Sequence, residues 1–190
     1  MRVVICGVGA LGSAVAVACR NLDVSLRLVD FDRVESKNLL SQAFVKQSVG
    51  KNKAQALKMQ LQNFYGVKVE AKGVRLAAGN VSELLGGAGL VLDCFDNAAS
   101  RQLICEYVRE SDIPCLHGAL SADGTYGMVR WDEAFAPDAE DAAGQATCEN
   151  GDHLPFISMV SAVLARTASE FVQDGSRLNA MVSLSGVQRS

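Results

Sequence analysis

Glycines at positions 7, 9 and 12 give the spacing G-x-G-x-x-G in Gly7-Val8-Gly9-Ala10-Leu11-Gly12. The apolar, β-branched run from Arg2 to Cys6 reads as a buried strand before it, and the Ala- and Val-rich stretch from Ser13 to Asn21 reads as a helix after it. A glycine turn between strand and helix lets the backbone approach a phosphate. The helix start adds free N–H groups and roughly half a unit of positive charge. The chemistry on offer is nucleotide binding by the backbone of Gly7, Gly9, Ala10, Leu11 and Gly12; the alternative is a glycine turn needed only for packing. Asp30 closes a second strand, Val24 to Val29. A carboxylate there can accept both ribose hydroxyls of an adenosine. Taken alone, these features fit a nicotinamide-dependent oxidoreductase.

The elements that must position these groups alternate along the chain. Gly50 to Tyr65 reads as an amphipathic helix with Ala54, Leu57, Leu61 and Phe64 on one side. Val67 to Ala71 is a third strand, Val81 to Leu85 a short helix and Gly89 to Asp93 a fourth strand. Ala98 to Glu110 is helical, with Leu103, Ile104, Tyr107 and Val108 facing inward; Pro114 to His117 and Thr125 to Trp131 are further strands. This order predicts a single Rossmann-like α/β domain, a doubly wound, mainly parallel sheet with helices on both faces. Residues 132–152 hold seven acids and no Lys or Arg, and are expected to form a mobile acidic loop. Leu154 to Val172 reads as the last helix, with Pro155 near its start and Gly175 past its end. The domain is expected to span residues 1–175, and 176–190 form a tail that packs as a strand or frays.

The 190 residues suit one domain, and 49% hydrophobic with 21% charged residues excludes a disordered or fibrous chain. No apolar run reaches the roughly 18 residues of a membrane span, and the opening run is too short for a secretory leader. A cytoplasmic protein is the expectation. Residues 1–75 carry 12 Lys/Arg against 5 Asp/Glu, whereas residues 76–190 carry 6 against 16. A basic half suits a phosphate-bearing ligand. Nucleic acid is not favoured, since aromatics are 6% and no dense basic run exists. Six scattered cysteines lack any C-x-x-C pair. Most read as small buried residues; Cys148, with polar neighbours, is expected to be the most reactive thiol. His153 either lowers that thiol's pKa or simply sits in the first turn of the last helix. His117 either lines a ligand cleft or is structural.

Beyond Asp30 the chain continues through Asp32, Val34, Asn38-Leu39-Leu40-Ser41-Gln42, then Gly50-Lys51-Asn52-Lys53, and after the fourth strand Asp93-Cys94-Phe95-Asp96-Asn97. This ordered set resembles the ThiF/MoeB/HesA family of ubiquitin-activating-like adenylyltransferases. Their pattern is G-x-G-x-x-G, D-x-D-x-V-x-x-x-N-L-x-R-Q, G-x-x-K and D-x-x-D-N. Thr147-Cys148-Glu149-Asn150-Gly151 also resembles the family's segment after its crossover loop. The resemblance covers roughly residues 1–172. It implies that the C-terminal Gly-Gly carboxylate of a ubiquitin-like or sulfur-carrier protein attacks the α-phosphate of ATP, giving an acyl-adenylate and pyrophosphate. Sulfur transfer for thiamine or a related cofactor is the implied setting, and a homodimer the implied assembly.

Carried over by position, Asp30 would hold the ribose, Asn38 and Lys53 would contact phosphates, and Asp96 would hold Mg²⁺. Asp32, Gln42 and Asn97 would belong to the same nucleotide site, and Cys148 matches a position that in some relatives links covalently to the carrier. Lys53 starts a helix near Lys46, Lys51 and Lys58, and Asp96 leaves a strand's carboxyl end, where open α/β sheets bind ligands. The bland alternatives are a solvated Lys53 and an Asp96 that caps the next helix.

Three departures stand against the resemblance. The family's arginine before Gln is Ser41. The chain opens on its first strand, so an arginine that longer relatives supply from an N-terminal segment would be missing. The paired C-x-x-C motifs are absent, so no structural zinc is expected. A degenerate member that keeps the fold without turnover, and one that activates a small substrate, are therefore the rival expectations within the family.

Overall fold

Strand side chains alternate between two sides, and the first strand shows the consequence. Of β1 (Arg2–Cys6), Val3 and Ile5 enter one hydrophobic core, and Val4 and Cys6 enter another. A strand buried on both faces requires an unbroken apolar run, as in a parallel sheet covered by helices. The structure, a computed structural model, describes residues 1–137 and 151–190.

After β1 come α1 (Ala10–Ala18), β2 (Ser25–Val29), α2 (Lys53–Tyr65), β3 (Val69–Lys72) and α3 (Val81–Leu85). β4 (Leu90–Asp93), α4 (Ala98–Glu110), β5 (Cys115–Leu120) and β6 (Tyr126–Trp131) follow, then α5 (Leu154–Asp174), β7 (Ala180–Ser183) and β8 (Gly186–Arg189). One eight-stranded sheet has the order β3-β2-β1-β4-β5-β6-β7-β8. The pairs among its first five strands are parallel; β5–β6, β6–β7 and β7–β8 are antiparallel. The expected doubly wound α/β sheet is present. Strand order reverses between β1 and β4, the switch point where such sheets open a crevice at their carboxyl ends.

The two cores divide the helices. Leu11 and Val15 of α1, Leu57 and Leu61 of α2, and Phe156, Val160 and Leu164 of α5 pack on one face with Ile5, Leu28 and Leu92. Leu84 and Leu85 of α3 and Ile104 and Val108 of α4 pack on the other with Val4, Val29 and Val91. Leu103 and Tyr107 pack against that second core while partly exposed.

Three local expectations need correction. α2 starts at Lys53 and not at Gly50, because Gly50 takes a positive φ of 84° and Asn52 caps the helix. Phe64, expected inside, is 65% exposed: burial along α2 stops at Leu61, and its last turn has no packing layer beneath it. The stretch after β6 opens with a short 3-10 turn at Asp132–Ala134, and Phe135 is buried, so this end of the acidic segment is folded. Residues 138–150, with the rest of the expected mobile loop, lie outside the described residues. The tail supplies β7 and β8, which extend the sheet beside β6.

Gly12 is the tightest point of the turn between β1 and α1. A Cβ there would lie 1.9 Å from the Gly7 carbonyl oxygen, a backbone atom that cannot swing aside. Gly12→Ala should therefore destabilise the protein by about 1–3 kcal/mol, the usual range for overpacking, measured as a lower urea midpoint. An unchanged midpoint would show that the turn has slack.

Candidate functional site

The carboxyl ends of β1, β2 and β4 carry the turn of Gly7 to Gly12, the acids Asp30 and Asp32, and the loop of Cys94 to Asn97. Gly7 has φ of 82°, and a Cβ on it would lie 2.9–3.0 Å from Phe95 and Cys94, so the glycine turn rests directly on the loop that carries Asp96. Gly9, by contrast, has room for a Cβ, with no atom of the described residues within 4 Å. It stands at the N-cap of α1 with no side-chain cap, so the first-turn N–H groups keep their capacity for an anion.

Asp30 is buried, and its two oxygens face the backbone: Oδ2 accepts from Val8 N–H at 2.6 Å and Oδ1 from Asp32 N–H at 2.8 Å. Burial pushes its carboxyl up, and the Val8 and Asp32 N–H groups and the Lys53 charge pull it back only in part. An ionised carboxylate offers about four lone-pair sites, so two remain for hydroxyl donors. Lys53 begins α2; its N–H donates to the Asp32 carbonyl at 2.8 Å and its Nζ pairs with Asp32 Oδ2 at 3.1 Å. The lysine is buried, not a solvated helix residue.

Asn52 is the link that sequence reasoning missed. Its Oδ1 accepts from Gln55 N–H, and its Nδ2 donates to the carbonyls of Asp30 at 2.9 Å and Asp32 at 3.1 Å. An Asn directly before a helix is the available signal, obscured by placing the helix start at Gly50. Ser13, also missed, is fully buried and accepts from Ala43 N–H at 2.9 Å, which ties the loop of Asn38 to Gln42 to α1.

Asn38 is buried, and its Oδ1 accepts from Glu35 N–H at 2.9 Å, closing a capping box. Ser41 Oγ and Gln42 Oε1, in the next turn, are buried with no hydrogen-bond partner among the described residues. Gly151, at the far end of the acidic segment, would bring a Cβ within 3.1 Å of Leu40. Asp96 is exposed, and Asn97, not Asp96, caps α4 by accepting from Ser100 N–H at 2.9 Å. The capping alternative for Asp96 is thereby excluded.

His117, placed by the sequence at the end of the fifth strand, lies within β5 and is fully buried. Cys148 lies outside the described residues. The other five cysteines are buried. Burial raises their thiols where a shift is resolved, Cys115 to about 11 and Cys19 to about 12. His153 precedes α5 and packs against Gly124. Among the described residues no helix is long and apolar enough to cross a membrane.

The model of the ThiF family matches residues 1–182. This chain belongs to the ThiF family. It is 31% identical over 175 residues to the adenylyltransferase and sulfurtransferase MOCS3 of Caenorhabditis briggsae, covering 86% of this chain and 43% of that protein. To the sulfur carrier protein ThiS adenylyltransferase of Bacillus subtilis it is 33% identical over 133 residues, covering 67% of this chain and 39% of that protein. The crystal structure of Escherichia coli MccB with ATP superimposes with a TM-score of 0.78 at 16% identity, over 100% of this chain and 62% of that one. The ThiF chain described here thus spans less than half the length of these two curated relatives.

Two measurements check this construction. Asn52→Ala removes the cap of α2 and its grip on the Asp30–Asp32 backbone, and should cost about 1–2 kcal/mol in chemical denaturation. Asp132, after β6, is held down to about 2, against burial, by hydrogen bonds from His117 and Arg109. A depressed carboxyl stabilises the fold above its ordinary value of 3.8 and loses that contribution as pH falls towards 2. The stability gap between the parent and Asp132→Asn should therefore be full at neutral pH and close between about 4 and about 2.

Proposed function

We propose that this ThiF-family chain binds ATP with Mg²⁺ and transfers adenylate to a carboxylate, that of the Gly-Gly terminus of a ubiquitin-like or sulfur-carrier protein. The observation that carries the reading is the position of four groups around the carboxyl ends of β1, β2 and β4: the Gly9 turn, buried Asp30, buried Lys53 held by Asp32, and exposed Asp96 on the loop after β4. The printed names of the relatives, MOCS3 and the ThiS adenylyltransferase, support it.

The residues fit the parts of such a reaction. The N–H groups of Gly9 to Gly12 are the donors for phosphate oxygens, since those of Gly7 and Val8 are taken by Val29 and Asp30, and Asp30 has acceptor capacity for ribose hydroxyls. Lys53 neutralises phosphate charge; Asp32, its present partner, keeps the ammonium in place. Asn38 and Gln42 sit on a loop whose buried Ser41 and Gln42 oxygens have no hydrogen-bond partner among the described residues. Asp96 offers Mg²⁺ the hard carboxylate oxygen it prefers, and the ion would screen the negative charge of the phosphates. Attack by the carrier carboxylate on the α-phosphorus forms the acyl–oxygen–phosphorus link as the bond to pyrophosphate breaks. The chain's part is to align and to neutralise, which suits a site built from backbone donors and fixed charges.

A second reading has its own observation. Where the family pattern has arginine this chain has Ser41, which is buried, its hydroxyl without a hydrogen-bond partner among the described residues. A lysine does not replace the bidentate geometry of an arginine. This favours a member that keeps nucleotide binding and has lost turnover.

ATP–pyrophosphate exchange, with and without a carrier protein ending in Gly-Gly, separates the two readings. Activity is expected, and Lys53→Ala or Asp96→Ala should lower it by about 100–1,000-fold with the circular dichroism spectrum unchanged. Exchange at the parent rate in both variants would remove these residues from the site. Calorimetry should show ATP binding that weakens without Mg²⁺; tight NAD binding with no ATP binding would overturn the nucleotide assignment. Gly9→Ala should leave stability unchanged and weaken ATP binding, because its Cβ would meet no atom of the described residues within 4 Å.

A further inference from the structure

β4, α4, β5 and the turn after β6 converge on a buried histidine that the chemistry above leaves without a role. His117 Nδ1 lies 2.8 Å from Asp93 Oδ2, and Nε2 lies 3.2 Å from Asp132 Oδ1. Phe135 stacks on the imidazole with centroids 3.9 Å apart and planes 10° from parallel. The groups facing the ring are Asp93 from β4, Cys105 from α4 with Sγ 3.9 Å from Nε2, Cys115 from β5, and Asp132 from the turn. Arg109 of α4 holds both Asp132 oxygens, at 2.7 and 3.1 Å.

Ionised carboxylates only accept hydrogen bonds, so two of them require an N–H on each ring nitrogen. With an imidazolium the cluster carries two anions and two cations. A neutral ring would leave a lone pair against a buried carboxylate, a repulsion relieved only by a proton on the ring or on the acid. Burial pulls the imidazole pKa down, but the hydrogen bonds to Asp132 and Asp93 raise it above its ordinary value.

The cluster also grips the turn that carries Asp96. Asp93 Oδ1 accepts from Phe95 N–H at 3.1 Å while its Oδ2 faces His117. Arg101 of α4 donates to the Phe95 carbonyl, and at 2.8 Å to the carbonyl of Gly118, the residue after His117. Its guanidinium lies 5.6 Å over the Phe135 ring. The two carbonyls and the ring are thereby clamped to one another.

We propose that His117 is a permanently protonated positioning residue, which joins the carboxyl end of β4 to Asp132 and Phe135 and so fixes the turn that presents Asp96. The positioning half rests on the reading of Asp96 as the Mg²⁺ carboxylate; the protonation half does not.

Nitrogen-15 NMR of the full chain with labelled histidine should show both ring nitrogens of His117 protonated from pH 6 to pH 9. A ring that titrates near its ordinary value overturns the assignment. So does stoichiometric zinc in the purified protein that disappears in Cys105→Ala, since Cys105, His117 and Asp132 bring one donor atom each within 4.8 Å of one another. For positioning, calorimetry compares Mg–ATP binding in the parent, His117→Gln and His117→Gln/Asp93→Asn. The single variant should lose at least tenfold of the Mg²⁺-dependent gain in affinity while Mg²⁺-free ATP binding is unchanged. The double variant removes the uncompensated buried charge and should recover thermal stability but not that gain. Recovery of both, or an unchanged gain in a folded single variant, overturns positioning. A parent that binds ATP with no Mg²⁺ dependence overturns the Asp96 reading, and positioning with it, while the NMR result still decides the proton state.

Discussion

The absence of a side chain at Gly12 holds this site together. It lets the first turn of α1 sit on the Gly7 carbonyl, so α1 starts directly against the end of β1. Three consequences follow from that contact. Gly7 is pressed onto Cys94 and Phe95, which joins the glycine turn to the Asp96 loop. Val8 N–H comes within reach of Asp30 on β2. Ser13, one residue on, meets Ala43 and brings in the loop of Asn38 to Gln42. Segments as far apart in the chain as Gly7 and Phe95 are thus referred to one backbone contact. A methyl group there would disturb all of them together, because backbone cannot rotate away from a clash as a side chain can.

Around that contact the polar groups are fixed by backbone and not by one another. Asp30 takes two N–H donors, Asn52 donates to two carbonyls, and Asn97 and Asn52 cap their helices. Such partners are part of the strand ends and helix starts, so the geometry is set before a ligand arrives, which is what electrostatic catalysis asks of a site. Lys53 is the exception, paired with Asp32 through its side chain. Ser41 and Gln42 each keep a buried oxygen that has no hydrogen-bond partner among the described residues, and a buried oxygen left without one is costly.

The far side of the sheet follows a second logic. β6 runs antiparallel to β5, and β7 and β8 continue it as a meander. The His117 cluster sits at that change of direction. It fastens the chain after β6 to α4 through Arg109 and to β4 through Asp93, while Gly151 returns against Leu40. Both described ends of the acidic segment are therefore anchored, one to β4 and α4 and the other to the loop that holds Leu40.

The glycine spacing, the acid at the end of β2, Lys53 at a helix start and the D-x-x-D-N run were legible in the sequence, and with them the ThiF family and the doubly wound sheet. These signals are local: a turn, a strand end or a helix cap requires particular residue types at adjacent positions, so the chain records them in order. The choice between Asp96 and Asn97 as the cap of α4 was not legible, because both are good caps and only the backbone path selects one. Phe64 fits the apolar spacing of α2 and is still exposed, because spacing states which residues share a side and not where the sheet beneath them ends. The pairing of His117 with Asp93 and Asp132, 24 and 15 residues away, had no local signature at all. Parallel strand order and the packing of α4 bring those three together, and burial then makes their charges depend on one another, a condition that exists only once the chain is folded.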